Sequence, residues 1–305
     1  MLIRNISKKV LFVTVFCAIS LIFTNCGLVS SGNSNSPDKI EENFLTEYSK
    51  PKIVGTIKSD EITESSGLVQ SRCNSNVFWT HNDSGGKEFI YAISEKGERL
   101  GTWKVTGAKN DDWEDLATIK DKSGKCFLYI GDIGNNSQKK TQLTIYKVAE
   151  PKVAEADKKS TKKKPNKTEN AEAIQFSYPD ETHDAETLLV HPQTGDIYVL
   201  TKPMLGASQV FKIGKKIENV GSVSVPAIPS GFLTGGEISP DGKRIVICDY
   251  FAAYEITLPK DAKNFDDIFK ESVTKVELGE REQGEAVWEG VRTAEPVILE
   301  VKFTS

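Results

Sequence analysis

The sequence predicts an all-β fold of short four-stranded sheets arranged radially, and three observations carry that prediction. Residues 51 to 305 are dominated by short runs rich in branched and aromatic residues, such as "VFWTHND", "CFLYIGD", "DIYVLTK" and "RIVICDY", separated by Gly, Asp, Asn and Pro turns. Helical periodicity is nearly absent, and only "KNFDDIFKES" at 263 to 272 suits a helical turn or two. Five segments, "ESSGLVQS", "DWEDLATI", "DAETLLVH", "TGGEISPD" and "QGEAVWEG", align by their third residues, Ser66, Glu114, Glu186, Gly236 and Glu285, at intervals of 48, 72, 50 and 49. A period near 49 with about four strands per unit is that of a β-propeller. Five blades are favoured and six are possible.

Taken in order, the chain opens with an export signal over residues 1–25. Arg4, Lys8 and Lys9 precede the apolar run "VLFVTVFCAISLIF", which is short for a membrane span and ends in small polar residues. The following "LIFTNCG" resembles a bacterial lipoprotein cleavage box, in which Cys26 would become the lipidated first residue. An ordinary signal peptide or a single anchoring helix remain the alternatives. The expected address is the bacterial cell envelope, with the protein held to a membrane through its lipid anchor and facing the periplasm or the cell surface. Residues 26–50, Ser- and Asn-rich with little periodicity, suit a flexible tether.

The propeller domain is expected over 51–305. "GTWK" at 101 leads into "DWEDLATI" as "GTIK" at 55 leads into "ESSGLVQS", so residues 53 to 58 read as an outer strand preceding the first inner one. Such a strand would pair into the last blade, beside "PVILEVKF", and close the ring without an exposed edge.

The long interval contains "PKVAEADKKSTKKKPNKTEN" (151–170), read as a Lys-rich disordered, solvated insertion, with contact to an anionic surface the lesser reading. It carries +4 and the signal +3 of a net charge of −4, which leaves −11 on the rest. An acidic body argues against nucleic acid as a partner. A monomer is expected.

Within this frame "WTHNDSGG", "DDWEDLA", "YIGDIGNN", "IYKVAEP" and "GGEISPDGKRIVICDY" resemble a group of bacterial secreted and lipoprotein β-propellers loosely akin to TolB-like, SdiA-regulated and esterase-like phytase propellers. The resemblance spans roughly residues 60 to 290. It implies the propeller fold, and it assigns no catalytic residue.

In a propeller, first strands start and second strands end on the same face, near the axis. That face should collect Glu64, Asp112, Glu114, Asp184, Glu186 and Glu285 from strand starts, and His81, Asp83, Asp132, Asn135, Lys202 and Asp249 from strand ends. Crowded carboxylates either rise in pKa or take a cation, and oxygen ligands suit Ca²⁺ or Mg²⁺. Glu114, Glu186 and Glu285 are the candidate metal ligands; Glu64, Asp83, Asp112, Asp132, Asn135, Asp184 and Asp249 are candidate ligand contacts. The same acids would equally serve as acceptors for backbone N–H groups of the neighbouring blade. His81, Glu114, Glu186 and Lys202 are the candidates for any catalysis, with His183 a second histidine on this rim and His191 a turn residue on the far side. No G-x-S-x-G elbow, Walker loop or dinucleotide fingerprint is present.

Cys73 and Cys126 fall in corresponding turns of adjacent blades, where either a disulfide or two free thiols fit; Cys248 reads as a core residue. Three functions remain: binding of a ligand on one face, with or without a divalent cation, cation-dependent hydrolysis of a phosphate ester, ester or lactone, and scaffolding of an envelope protein.

Overall fold

The computed structural model describes residues 55–226, 232–276, 278, 287–292 and 295–300, the last two stretches as backbone. The first sheet comprises β1 (Ser65–Gln70), β2 (Val77–Asn82), β3 (Phe89–Ser94) and β4 (Arg99–Thr106). The second begins with β5 (Trp113–Lys120), β6 (Cys126–Asp132) and β7 (Leu143–Ala149). The chain then leaves it as β8 (Asn166–Asn170) and returns as β9 (Glu172–Phe176). The third is β10 (Ala185–Val190), β11 (Ile197–Thr201), β12 (Ser208–Ile213) and β13 (Glu218–Val223). The fourth is β14 (Leu233–Ile238), β15 (Arg244–Asp249), β16 (Ala253–Thr257) and β17 (Thr274–Val276); β18 (Val287–Arg292) and β19 (Glu295–Glu300) follow as a two-stranded sheet.

Each four-stranded sheet runs antiparallel in chain order, and the first strands pack in succession, β1 on β5, β5 on β10 and β10 on β14. That arrangement is a β-propeller. Strands near the axis have a blade on both faces, so β2, β11 and β14 are buried throughout, and β11 reads as a nearly apolar run without alternation. The outer β13 is largely exposed and correspondingly polar.

The cores lie between blades. Val69, Trp79 and Trp103 of the first sheet meet Trp113, Leu116 and Ile130 of the second, with Trp79 and Trp103 edge to face at 5.2 Å. Comparable clusters join the second to the third sheet around Leu188 and Phe211, and the third to the fourth around Leu189, Tyr198 and Ile247. The short helical turn expected within 263–272 is a 3-10 turn, Phe265–Lys270, whose Phe265, Ile268 and Phe269 enter that last cluster.

Among the described residues four blades are complete, rather than the five or six expected. The closing strand is also absent from its described part: residues 55–58 form no ladder, and Thr56 N–H donates to Lys96 O at 3.2 Å, in the β3–β4 turn. Residues 53 and 54, like Glu285 and Cys26, lie outside the described residues. Ile57 and Ile62 instead cover one face of the first sheet, against Leu68, Phe78 and Tyr91.

The Lys-rich run is ordered, contrary to its composition. After a 3-10 turn, Glu155–Lys159, β8 pairs in parallel with β4 as a fifth strand on the first sheet, so the second blade straps the first. Three hydrogen bonds to residues distant in sequence hold it: Thr102 N–H to Ser160 Oγ at 2.8 Å, Thr106 N–H to Thr168 Oγ1 at 3.0 Å, and Lys162 N–H to Glu61 Oε1 at 2.7 Å. Cys73 and Cys126 form a disulfide that ties the same two blades at the end of the strands remote from Glu114, and Cys248 is a buried thiol 3.5 Å from Thr234 Oγ1.

Candidate functional site

In each of the four complete blades the inner strand carries an irregularity at its start. Pairing shifts between Ser65 and Leu68 in β1, Trp113 and Asp115 in β5, Ala185 and Thr187 in β10, and Leu233 and Gly235 in β14. A β-bulge bends the strand and turns the extra side chain out of the in–out alternation. The residues turned out are Ser66, Glu114, Glu186 and Thr234. In the fourth blade the structural counterpart of Glu114 is therefore Thr234, two residues before the Gly236 chosen from the sequence repeat. Two of the four blades thus present a glutamate at this position.

Glu114 is 4% exposed, and its carboxylate receives no hydrogen bond among the described residues. Asp83 from the β2–β3 loop, Asp112 and Glu114 bring a carboxylate oxygen each within 4.8 Å of one another. Burial first, and then the charges of Glu186, Asp83, Asp112 and Asp184, push the Glu114 carboxyl up to about 11. Asp112 is also raised, chiefly by burial, although Lys140 Nζ stands 3.5 Å from its Oδ2 and pulls the other way. Gly134, in "GDIGNN", is what lets these groups approach: a Cβ there would lie 2.6 Å from Asp112 Cγ and would overlap Glu114 Oε1.

On the next blade Lys202 pairs with Glu186 and donates to Tyr250 Oη at 2.7 Å, its ammonium 4.8 Å from the Tyr250 ring centre. Burial lowers the lysine's affinity for its proton, but Glu186 outweighs that and the net shift is upward. Among the described residues the face therefore brings together the carboxyl groups of Asp83, Asp112, Glu114, Asp184 and Glu186 with the ammonium groups of Lys140 and Lys202.

Other expected site residues hold backbone. Asp132 accepts from Asp112 N–H at 2.7 Å and Asp111 N–H at 3.4 Å, and burial lifts it to about 6. Asn135 is spent on the β6–β7 loop: its N–H donates to Asp184 Oδ1 at 2.6 Å, its Nδ2 to Lys140 O and His183 O, and its Oδ1 accepts Lys140 N–H. Asp249 accepts from Phe251 N–H, Ala252 N–H and Tyr254 Oη, which fixes a turn. Glu64 is exposed, and it is its carbonyl that takes part in the rim, accepting Asp83 N–H at 3.0 Å.

His81 is fully buried, edge to face with Trp113 at 5.8 Å, and not on the rim. Its Nδ1–H donates to Asn82 O at 2.9 Å, Nε2 has no partner, and burial depresses it to about 4, so the ring is neutral. His183 packs against Tyr178 and Phe211 and bonds Asp180, while His191 Nδ1 accepts turn N–H groups, as its far-side position implied.

Asp115 is the site-proximal residue the sequence reading passed over. One oxygen accepts Leu116 N–H at 2.8 Å, and the other accepts Leu188 N–H of the third blade at 2.9 Å; Gly236 N–H of the fourth blade also bonds it. An acid inside an otherwise apolar inner strand was the available signal. Lys140, Tyr250 and Gly134 carried none, because their roles depend on loops of different blades meeting.

No family model and no curated protein matches the chain. Among solved structures it is similar to Raptor from Chaetomium thermophilum, at 12% identity and a TM-score of 0.38 over 81% of this chain and 20% of that one. It is also similar to the Dos1 propeller, at 10% identity and a TM-score of 0.34 over 73% of this chain and 50% of that one. The chain thus spans a fifth and a half of those two lengths.

Proposed function

We propose that the protein is an exported, lipid-anchored β-propeller that binds a small-molecule ligand on its acidic face through a divalent cation. The observation that carries the reading is Glu114: a buried carboxyl without a hydrogen-bond donor, facing Asp83 and Asp112 over a glycine that leaves room for all three. A hard cation with oxygen preference relieves that crowding, and Ca²⁺ tolerates irregular oxygen cages better than Mg²⁺. Binding must displace the proton that burial keeps on Glu114, so affinity rises with pH. Hydrolysis would require Lys202 to steady a developing anion, and its ammonium is already taken by Glu186 and Tyr250. Binding is therefore the reading we adopt.

The test is calorimetric titration of the EDTA-treated protein with Ca²⁺ and Mg²⁺, paired with Glu114→Gln. Stoichiometric binding lost in the variant supports the site. No heat and an unchanged melting temperature for either ion would sink it. Lipidation at Cys26 is tested separately by labelled palmitate incorporation in wild type and Cys26→Ser.

We further infer that β18 and β19 belong to a fifth blade closing the ring. In support, β18 packs on both β14 and β1, and the two outward faces, around Ile57 and Phe78 on the first sheet and Val246 and Cys248 on the fourth, are apolar. Deleting residues 287–305 should abolish the cooperative melt; retention of it would argue for four blades.

A further inference from the structure

We infer that the outer edge of the first blade, at the end remote from the acidic face, is a second membrane contact that takes phosphate-bearing headgroups of anionic lipid. The Lys-rich strap is sided. Its hydroxyls and carbonyls are turned to the blade: Ser160 and Thr168 accept β4 N–H groups, and the Arg99 guanidinium holds Ser160 O at 2.6 Å and Lys158 O at 3.4 Å. The Lys162 ammonium lies 5.7 Å from the Tyr91 ring centre, and most of the strap's other ammonium groups are left outside. Lys158, Lys159, Lys163 and Lys164 are exposed, and of these only Lys158 has an ion pair among the described residues, with Glu155.

Next to the strap, across Arg99, a cavity of about 570 Å³ is lined by Thr56, Lys58, Ser59, Lys96, Gly97, Glu98 and Arg99. Lys58 and Lys96 are both exposed. Around this cavity the ammonium groups of Lys58 and Lys96 and the Arg99 guanidinium outnumber the Glu98 carboxylate, and the strap extends the net positive charge outward. The described chain also enters the fold here, at Gly55, with Thr56 bonded to Lys96 O. An anchor at Cys26, if attached as proposed above, would supply an acyl signal. One acyl signal gives marginal membrane binding, whereas a chain plus a basic patch holds. Contact at this edge would leave the acidic face, at the other end of the strands, pointing away from the bilayer.

The test uses the full chain reconstituted into vesicles of phosphatidylcholine alone or with one-third phosphatidylglycerol, labelled by a water-soluble acetylating reagent and read by mass spectrometry. On anionic vesicles Lys58, Lys96, Lys158, Lys163 and Lys164 should label about fivefold more slowly than on neutral ones. That protection should vanish at high salt, and Lys139, on the loop of the acidic face, should not change. The triple variant Lys158→Glu, Lys163→Glu, Lys164→Glu should lose protection at Lys58 and Lys96 as well. Equal labelling on both vesicles overturns the inference. So does protection by soluble polyphosphate without any on vesicles, which would assign the edge to an anionic polymer instead.

Discussion

Glu114 lies against the α-carbon of Gly134, with no room for a side chain between them. The contact joins the start of one inner strand to the loop that leaves the end of the next strand in the same blade. Because Asp112 Cγ occupies the same space, a methyl group at residue 134 must push one carboxylate or the other aside.

Gly134→Ala should therefore act on the acidic face before it acts on the fold. Overpacking of this kind costs about 1–3 kcal/mol. The expected outcome is a small fall in melting temperature together with loss of the Ca²⁺ heat. Wild-type Ca²⁺ binding in this variant would mean that the Glu114–Asp112 geometry does not matter.

Metal-free stability should fall as pH rises. Glu114 is held up to about 11, so between its ordinary pKa and that value the folded protein binds a proton the unfolded chain has released. The sign is thus a stabilising contribution present in acid and lost progressively as pH climbs toward the folded value. Asp132, lifted to about 6, adds to the same slope only at the acidic end. Glu114→Gln should flatten the slope and gain roughly 1–3 kcal/mol at pH 8. Urea melts across pH, with EDTA, measure both.

Asp115 should matter more for folding than any residue of the acidic face. Replacing it by Ala strands the N–H groups of Leu116, Leu188 and Gly236 in three different blades. A buried donor left unsatisfied costs about 1–3 kcal/mol, so Asp115→Ala should lose at least about 3 kcal/mol or fail to fold. Asp115→Asn retains one acceptor and should lose less. Equal stability for all three proteins would show that the hub does not depend on this carboxylate.

Reduction should loosen the first two blades. The Cys73–Cys126 bridge closes a segment of 53 residues, and restricting such a segment in the unfolded chain is worth up to about 4 kcal/mol. Cys73→Ser with Cys126→Ser should lower the denaturant midpoint without changing Ca²⁺ binding, since the bridge lies at the opposite end of the strands. A change in binding instead would couple the two ends.

Much of the architecture was written locally. Strand runs and turns are short-range signals, so 48-residue spacing from Ser66 to Glu114 predicted a propeller from composition and period alone, and the convergence of Asp112, Glu114, Asp184 and Glu186 followed from it. The bulge at the start of β14 was not legible, because a shift of two residues preserves the in–out pattern of a strand; hence Thr234, not Gly236, is the counterpart of Glu114. The Lys-rich run read as solvated because its net charge is local, whereas the N–H groups of Thr102 and Thr106 that order it lie some sixty residues away.

The same division separates the acids. That carboxylates gather at one end of the inner strands was determined by the sequence, since strand direction and period place them there. Which of them keep an open oxygen was decided only by tertiary structure: Asp132, Asp249 and Asp115 meet backbone donors and become structural, whereas Glu114 meets other carboxylates and a glycine. A carboxylate's role depends on the partner within about 3 Å, and that partner is chosen by the packing of blades distant along the chain.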